Sequence, residues 1–146
     1  MDSYTILVVD DEPDLEGLVL QRMRREIRSG RYSFVFARNG VEALERLEDN
    51  DEIDIVITDI NMPEMDGLTL LEQIPAFDPK LRCVIVSAYG DMKNIRTAMN
   101  RGAFDFLNKP IDFEDLRLTI ERSLEHLKSM REAFEARDRM LAEGRP

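Results

Sequence analysis

The sequence has one cysteine, no tryptophan, and no apolar run approaching the roughly 20 residues that a membrane-spanning helix needs. A single cysteine, Cys83, excludes an intramolecular disulfide and suits a reducing compartment. Basic residues are the minority, since 20 Lys and Arg stand against 30 Asp and Glu, for a formal net charge of −10. Nucleic-acid-binding domains carry a basic face, so we expect no direct nucleic acid binding by this chain. The start has no basic-then-apolar leader, and we expect a cytoplasmic protein without membrane contact.

Short apolar runs alternate with segments of helical spacing along the 146 residues, a length that fits one main domain. The runs are rich in β-branched residues, as strands buried on both faces require. Five strands are predicted at 4–9, 32–37, 53–57, 81–87 and 104–107. This alternation with short connections predicts an α/β fold, a doubly wound parallel sheet with strand order 2-1-3-4-5.

Polar residues follow four of the five predicted strands. Asp10 and Asp11 follow the first strand, Asp59 the third, Ser87 the fourth and Lys109 the fifth. In this topology the first and third strands are neighbours, and ligands bind at their carboxyl ends. Crowded carboxylates repel one another unless a cation compensates, and Mg²⁺ is a natural partner for oxygen ligands. A carboxylate, a metal, a lysine and a hydroxyl indicate phosphoryl transfer, with the central Asp59 as nucleophile.

Each of these residues alone has an ordinary explanation. An aspartate after a strand is usually a turn or cap residue, and a serine there usually bonds to the local backbone. A lysine before proline is usually just exposed. The coincidence of complementary groups at four strand ends is what favours a functional site.

Four segments carry these residues: VVDDEP (8–13), ITDINMPEMDG (57–67), VSAYG (86–90) and FDFLNKP (104–110). In order and spacing they resemble the receiver domain of bacterial two-component response regulators. The resemblance covers roughly residues 4–125, most of the chain, and it implies a flavodoxin-like (βα)5 fold. The chain departs from a minimal receiver in its extended C-terminal helix. We therefore expect a receiver domain in residues 1–125 and a helical extension in residues 126–146.

The resemblance also implies roles for the residues at the strand ends. Asp59 is the expected phosphoacceptor, which receives a phosphoryl group from a sensor histidine kinase or a phosphotransfer protein. Asp11, Asp59 and the backbone carbonyl of Asn61 are the expected Mg²⁺ ligands, with Asp10 acting through water. Lys109 is expected to pair first with the acceptor carboxylate and then with the phosphoryl group.

Further residues are implicated in the response to phosphorylation. Ser87 is expected to bind the phosphoryl group and Phe106 to occupy an aromatic switch position. Together they would change the face made by the fourth helix, fifth strand and fifth helix, and so control an output domain or partner. Asn61 and Tyr89 lie at positions that tune phosphoryl lifetime, and the bulk of Tyr89 is expected to shield the acyl phosphate. Such a protein catalyses its own phosphorylation and slow dephosphorylation, but it is a regulator rather than an enzyme.

The last helix is predicted over residues 113–141, roughly 43 Å at 1.5 Å per residue, about twice what the domain can cover. Apolar residues recur in it every seven positions, which indicates a coiled coil or helix seam, although the companion seam is poor. These residues are Phe113, Ile120, Leu127, Phe134 and Leu141. The free end is a linker and homodimer stalk, or else a solvated tail. The chain is a stand-alone receiver or a fragment of a longer regulator.

Two other functions fit parts of the pattern. A Mg²⁺-dependent hydrolase of the haloacid-dehalogenase type also uses a strand-end aspartate, a hydroxyl and a lysine. That family has a second acid two residues after the nucleophile, where this chain has Asn61. A binding module that keeps the fold without phosphorylation is the other alternative, and the intact set of polar residues argues against it.

Overall fold

The structure is a computed structural model that describes residues 3–88 and 90–143. Its strands are β1 (Tyr4–Val9), β2 (Tyr32–Ala37), β3 (Ile53–Asp59), β4 (Arg82–Ala88) and β5 (Asp105–Lys109). Its helices are α1 (Leu15–Arg22), α2 (Arg24–Arg28), α3 (Gly40–Asp49), α4 (Gly67–Gln73), α5 (Met92–Asn100) and α6 (Phe113–Ala142), with a 3₁₀ turn at Ile74–Ala76. The strands form one sheet in the order β2-β1-β3-β4-β5, and every neighbouring pair is parallel. The predicted doubly wound, flavodoxin-like topology is confirmed.

The central strand β3 is buried along its whole length between two apolar layers. Alternate side chains of a strand point to opposite faces, and here each face finds its own helices. Val56 belongs to the layer that contains Leu70 of α4, whereas Ile57 belongs to the layer that contains Val19 of α1 and Ile120 of α6. Burial on both faces explains the run of β-branched residues at positions 55–58 of the strand.

Several element boundaries differ from the sequence prediction: β3 ends at Asp59 rather than at residue 57, and β4 spans Arg82–Ala88 rather than 81–87. Helical spacing from Leu15 to Ile27 predicts one helix, but the backbone departs from helical dihedral angles at Met23, which separates α1 from α2. Hydrogen bonds from Met23 N to Val19 O (2.9 Å) and from Ile27 N to Met23 O (3.0 Å) persist across the break. The fifth strand ends at Lys109 rather than at residue 107, so Lys109 is the last residue of β5.

The last helix begins at a well-defined cap and is held to the sheet far along its length. Asp112 accepts hydrogen bonds from the backbone N–H groups of residues 114 and 115. Leu127 is buried, and Arg131 Nη2 donates to Asp54 Oδ1 of β3 at 2.7 Å. The helix is continuous through residues 125 and 126, so the division expected there lies within α6 and stays a prediction. None of the described helices is both long and apolar enough to cross a bilayer.

The seven-residue repeat of α6 divides between core and surface. Ile120 and Leu127 are fully buried under the sheet, and Phe113 packs at the edge of the same layer. Phe134 and Leu141 are exposed, at 38% and 63%. Only the last two members of the repeat are therefore available for contacts outside the domain.

Candidate functional site

Three carboxylates converge where β1 and β3 end at the same edge of the sheet. Val9 lies opposite Thr58 in the parallel register, so the residues that follow each strand emerge side by side. One carboxylate oxygen from each of Asp10, Asp11 and Asp59 lies within 4.8 Å of the others. Asp10 and Asp59 are buried, and Asp11 is exposed at the rim. The switch point of the doubly wound sheet thus carries an acidic cluster with one open side.

Lys109 bridges the two buried carboxylates. Its Nζ lies 2.9 Å from Asp59 Oδ2 and 2.9 Å from Asp10 Oδ2. The Lys109–Pro110 peptide bond that follows is cis. The ammonium approaches from β5, two strands away from β3, so that this ion pair depends entirely on the tertiary fold.

Burial and neighbouring charges act in opposite directions on these groups. Burial raises the pKa of Asp59, the Lys109 ammonium offsets part of that rise, and the neighbouring Asp10 carboxylate adds to it. Burial acts to lower the pKa of Lys109, but its hydrogen bonds to Asp10 and Asp59 outweigh burial, and the pKa is raised. The lysine is therefore a fixed cation at neutral pH, and it favours the charged form of the carboxylate beside it.

The backbone around Asp59 is held on both sides. The Thr58 hydroxyl donates to the Asp59 carbonyl oxygen at 2.9 Å, and Gly67 N donates to Ile60 O at 2.8 Å. The N–H of Asn61 lies 3.4 Å from Asp59 Oδ1, which places the Asn61 backbone directly beside the Asp59 carboxylate. These bonds fix the direction in which the Asp59 side chain leaves the sheet.

The acidic cluster suits a hard divalent cation. All its donors are carboxylate oxygens, and Mg²⁺ prefers oxygen ligands, commonly one or two carboxylates with water and a phosphoryl oxygen. The exposed Asp11 leaves the cluster accessible from solvent. The residues present therefore fit Mg²⁺, and Asp10, Asp11 and Asp59 are the carboxylates that could hold it.

The remaining predicted residues that the structure describes lie on β4 and on β5. Ser87 of β4 is fully buried, and its hydroxyl donates to Asp91 Oδ2 at 3.0 Å. Phe106 of β5 is partly buried against the apolar layer that contains α4 and α5. Tyr89 lies outside the described residues. The sequence analysis did not identify Asp91 as a partner of Ser87, because an acidic residue just before a helix usually indicates only the start of that helix.

The fold and the site together define a class: a doubly wound α/β domain with a lysine-bridged acidic pocket at its switch point. A family model described as the response regulator receiver domain matches residues 6–121. The chain belongs to this family and is a receiver domain of two-component response regulators, as the sequence motifs predicted.

Similar proteins agree with this assignment. The chain is 36% identical over 129 residues to the transcriptional regulatory protein ZraR of Escherichia coli (strain K12), covering 88% of this chain and 28% of that protein. It is 34% identical over 149 residues to the response regulator protein PilR of Pseudomonas aeruginosa, covering 100% of this chain and 32% of that protein. The crystal structure of NtrX from Brucella abortus superposes with a TM-score of 0.83 at 34% identity, covering 94% of this chain and 30% of NtrX. The chain thus spans about a third or less of the length of these relatives.

Proposed function

We propose that this domain is a phosphorylation-activated switch in which Asp59 accepts the phosphoryl group. The observation that supports the proposal best is the position of Lys109, whose ammonium contacts the carboxylates of both Asp10 and Asp59. A lysine so placed neutralises the acceptor before transfer and can bind an anionic oxygen of the phosphoryl group afterwards. The three-carboxylate cluster on the other side supplies the matching cation site.

The proposed transfer needs no other nucleophile. An oxygen of the Asp59 carboxylate forms a bond to phosphorus while the P–N bond of a phosphohistidine breaks, and the released imidazole takes up a proton. Mg²⁺, when bound at this cluster, would supply positive charge to stabilise the phosphoryl oxygens. Asp11, Asp59 and the Asn61 carbonyl would hold the ion, with Asp10 acting through water. Hydrolysis of the acyl phosphate then resets the domain, so we class it as a self-modifying regulator and not as an enzyme.

The phosphoryl donor in this proposal is a sensor histidine kinase or a phosphotransfer protein. The response is a rearrangement in which Ser87 binds the phosphoryl group and Phe106 repacks, changing the face formed by α5, β5 and α6. That face would control an output domain or a separate partner. A cytoplasmic location, expected from the sequence, stays a prediction.

Phosphorylation with a small donor tests the assignment directly. The purified chain is incubated with acetyl phosphate and Mg²⁺, and the incorporated phosphoryl group is measured by intact-protein mass spectrometry. Asp59→Asn should abolish incorporation. Asp54→Asn is the matched control, because Asp54 is also a buried aspartate of β3 but lies at the opposite end of the strand. Incorporation at another residue in Asp59→Asn would refute the assignment.

The lifetime of the phosphorylated state is proposed to depend on Asn61 and Tyr89. Asn61 lies beside the Asp59 carboxylate, where its side chain can affect the approach of water. Tyr89→Ala should shorten the half-life of the acyl phosphate if the ring shields it. An unchanged half-life would remove Tyr89 from the proposal.

The end of α6 is proposed to be a linker toward an output module and a weak homodimer stalk. The exposed Phe134 and Leu141 support this role, although Lys80 Nζ lies 5.2 Å from the centroid of the Phe134 ring and thereby links that ring to the domain. Sedimentation of the full chain and of a chain ending at residue 133 tests the stalk. The shorter chain keeps Leu127 and Arg131, so its domain packing is preserved. Identical monomeric behaviour of both chains would remove the dimer.

A further inference from the structure

We propose that Asp91 is a positioning residue that holds the Ser87 hydroxyl in the unphosphorylated domain and must release it before Ser87 binds a phosphoryl group. The inference rests on the proposed function, because it concerns the same serine. It adds a residue outside the acidic pocket and a contact that opposes activation.

The contact joins the end of β4 to the start of α5. Ser87 Oγ lies 3.0 Å from Asp91 Oδ2, and the same oxygen accepts a second hydrogen bond from Asn94 Nδ2 at 2.9 Å. Ser87 is fully buried, whereas Asp91 is partly exposed. The hydroxyl is thus directed toward the loop before α5 in this state.

A serine hydroxyl has one proton to donate. An ionised carboxylate can only accept, so the hydroxyl proton is the one that makes the bond to Asp91. The side-chain hydrogen bonds from Asn94 and Ser87 lower the pKa of Asp91, which keeps it ionised at neutral pH. Ser87 therefore cannot donate to Asp91 and to a phosphoryl oxygen at the same time. The two acceptors compete for a single proton.

The sheet register places Ser87 between the strand ends that carry Asp59 and Lys109. Asp59 lies opposite Val86 in the β3–β4 pair, and Ser87 lies opposite Asn108, the residue before Lys109, in the β4–β5 pair. The serine is thus flanked by strands that carry both the acceptor and its lysine. A change of side-chain direction at Ser87 is enough to exchange one acceptor for the other.

Loss of the contact would also free the beginning of α5. Asp91 precedes Met92, the first residue of the helix, and the Asp91 carbonyl accepts from Ile95 N at 3.1 Å. A bond from Ser87 to Asp91 therefore connects the phosphorylation site to the first turn of α5. Phosphorylation would break the Ser87–Asp91 hydrogen bond. A phosphoryl group on Asp59 would thereby affect the surface of α5.

Binding of beryllofluoride, a phosphoryl mimic, in the presence of Mg²⁺ measures this competition in the full chain. Removing the acceptor with Asp91→Ala should tighten binding by about three- to tenfold, because one hydrogen bond no longer has to break. Asp91→Asn keeps an acceptor oxygen but not the charge, so it should give a smaller increase. Asn94→Ala is the matched control: it removes the other donor to the same oxygen, leaves the Ser87 contact intact, and should not tighten binding.

The double variant separates positioning from general destabilisation. Ser87→Ala should weaken beryllofluoride binding. The double variant Ser87→Ala/Asp91→Ala should bind with the same affinity as Ser87→Ala alone, because the hydroxyl for which Asp91 competes is absent. Equal affinities for wild type and Asp91→Ala, or the same gain with and without Ser87, would overturn the inference. If wild type binds beryllofluoride and Asp59→Asn does not, the proposed function stands whatever the Asp91 variants show. If wild type does not bind the mimic, the proposed function fails, and this inference fails with it.

Discussion

Gly67 lies directly against the backbone of Asp59: a Cβ atom built on Gly67 would lie 2.2 Å from the Asp59 carbonyl oxygen. That distance is far below any van der Waals contact, and the obstructing atom is backbone that cannot rotate away. The first residue of α4 must therefore be glycine for the chain to return beside the end of β3, which carries Asp59.

Gly67→Ala should destabilise the fold by about 1–3 kcal/mol, as expected when extra volume is forced into a packed site. Because the displaced atoms belong to Asp59 and Ile60, we also expect slower phosphorylation by acetyl phosphate. Gly17→Ala is the control, since nothing lies within 4 Å of a Cβ at that helical position. It should be stabilising by about 0.5–1 kcal/mol, and chemical denaturation measures both effects. A neutral Gly67→Ala would contradict the close approach.

Replacing Lys109 by methionine should change Mg²⁺ binding and phosphoryl-mimic binding in opposite directions. Loss of the ammonium leaves two facing carboxylates uncompensated, so Mg²⁺ should bind more tightly, by up to about tenfold. Beryllofluoride should bind at least about tenfold more weakly, because a charged donor to the anion is lost. Calorimetric titration measures both, with the exposed Lys128→Met as control. If the affinities for Mg²⁺ and for beryllofluoride both rise or both fall, the proposed contact between Lys109 and the bound anion is contradicted.

Glu121 connects α6 to the start of β2 and should make stability depend on pH. It accepts hydrogen bonds from Arg31 Nε at 3.0 Å and from the Tyr32 hydroxyl. The Arg31 hydrogen bond lowers the pKa of Glu121 despite an opposing effect of burial. A lowered pKa means that this stabilisation is complete above the ordinary carboxyl pKa and is lost as pH falls through the folded-state pKa.

Glu121→Gln should therefore cost about 1 kcal/mol at neutral pH, a modest value because the side chain is 41% exposed and screened by solvent. The difference from wild type should shrink as the pH is lowered below about 4. Urea denaturation at several pH values measures it, and Glu125→Gln, exposed on the same helix, is the control. If the difference in free energy of unfolding between wild type and Glu121→Gln grows as the pH is lowered, the proposed stabilisation by ionised Glu121 is contradicted.

The ion pair between Arg131 and Asp54 should hold the second half of α6 against the domain. Arg131→Ala should increase hydrogen exchange in residues 128–142 while leaving the central sheet protected. Arg137→Ala, exposed on the same helix, should leave exchange unchanged. Asp54→Ala should be more damaging, by about 1–3 kcal/mol, because Thr5 N also donates to this buried carboxylate at 2.8 Å. Unchanged exchange in Arg131→Ala would show that the helix is held by other contacts.

The sequence was most informative where local pattern and topology are sufficient. The β-branched run of β3 requires burial on both faces, and the βα alternation allows few arrangements, so the sheet order followed. The positions of Asp10 and Asp59 at one edge followed from that order. Lys109 was recognised as a member of the site from its place after the fifth predicted strand, but its simultaneous contact with both carboxylates was not predicted.

Other features required coordinates because they join residues distant in sequence or depend on side-chain direction. The helical spacing of α6 predicted its length but not which members of its repeat are buried: Ile120 and Leu127 lie under the sheet, while Phe134 and Leu141 do not. The expected partner of Ser87 was a phosphoryl group, and the structure gives it Asp91 as its present acceptor.

The sequence by itself determined the class of fold and the set of polar residues at the strand ends, because both follow from periodicity and order along the chain. The resemblance of four sequence motifs indicated the receiver family. The tertiary structure alone decided which of those groups touch: the ammonium between Asp10 and Asp59, the acceptor of the Ser87 hydroxyl, and the anchoring of α6 through Arg131. Hydrogen bonds and ion pairs form only within about 3–4 Å, and distances on that scale are set by packing between elements rather than by spacing within them.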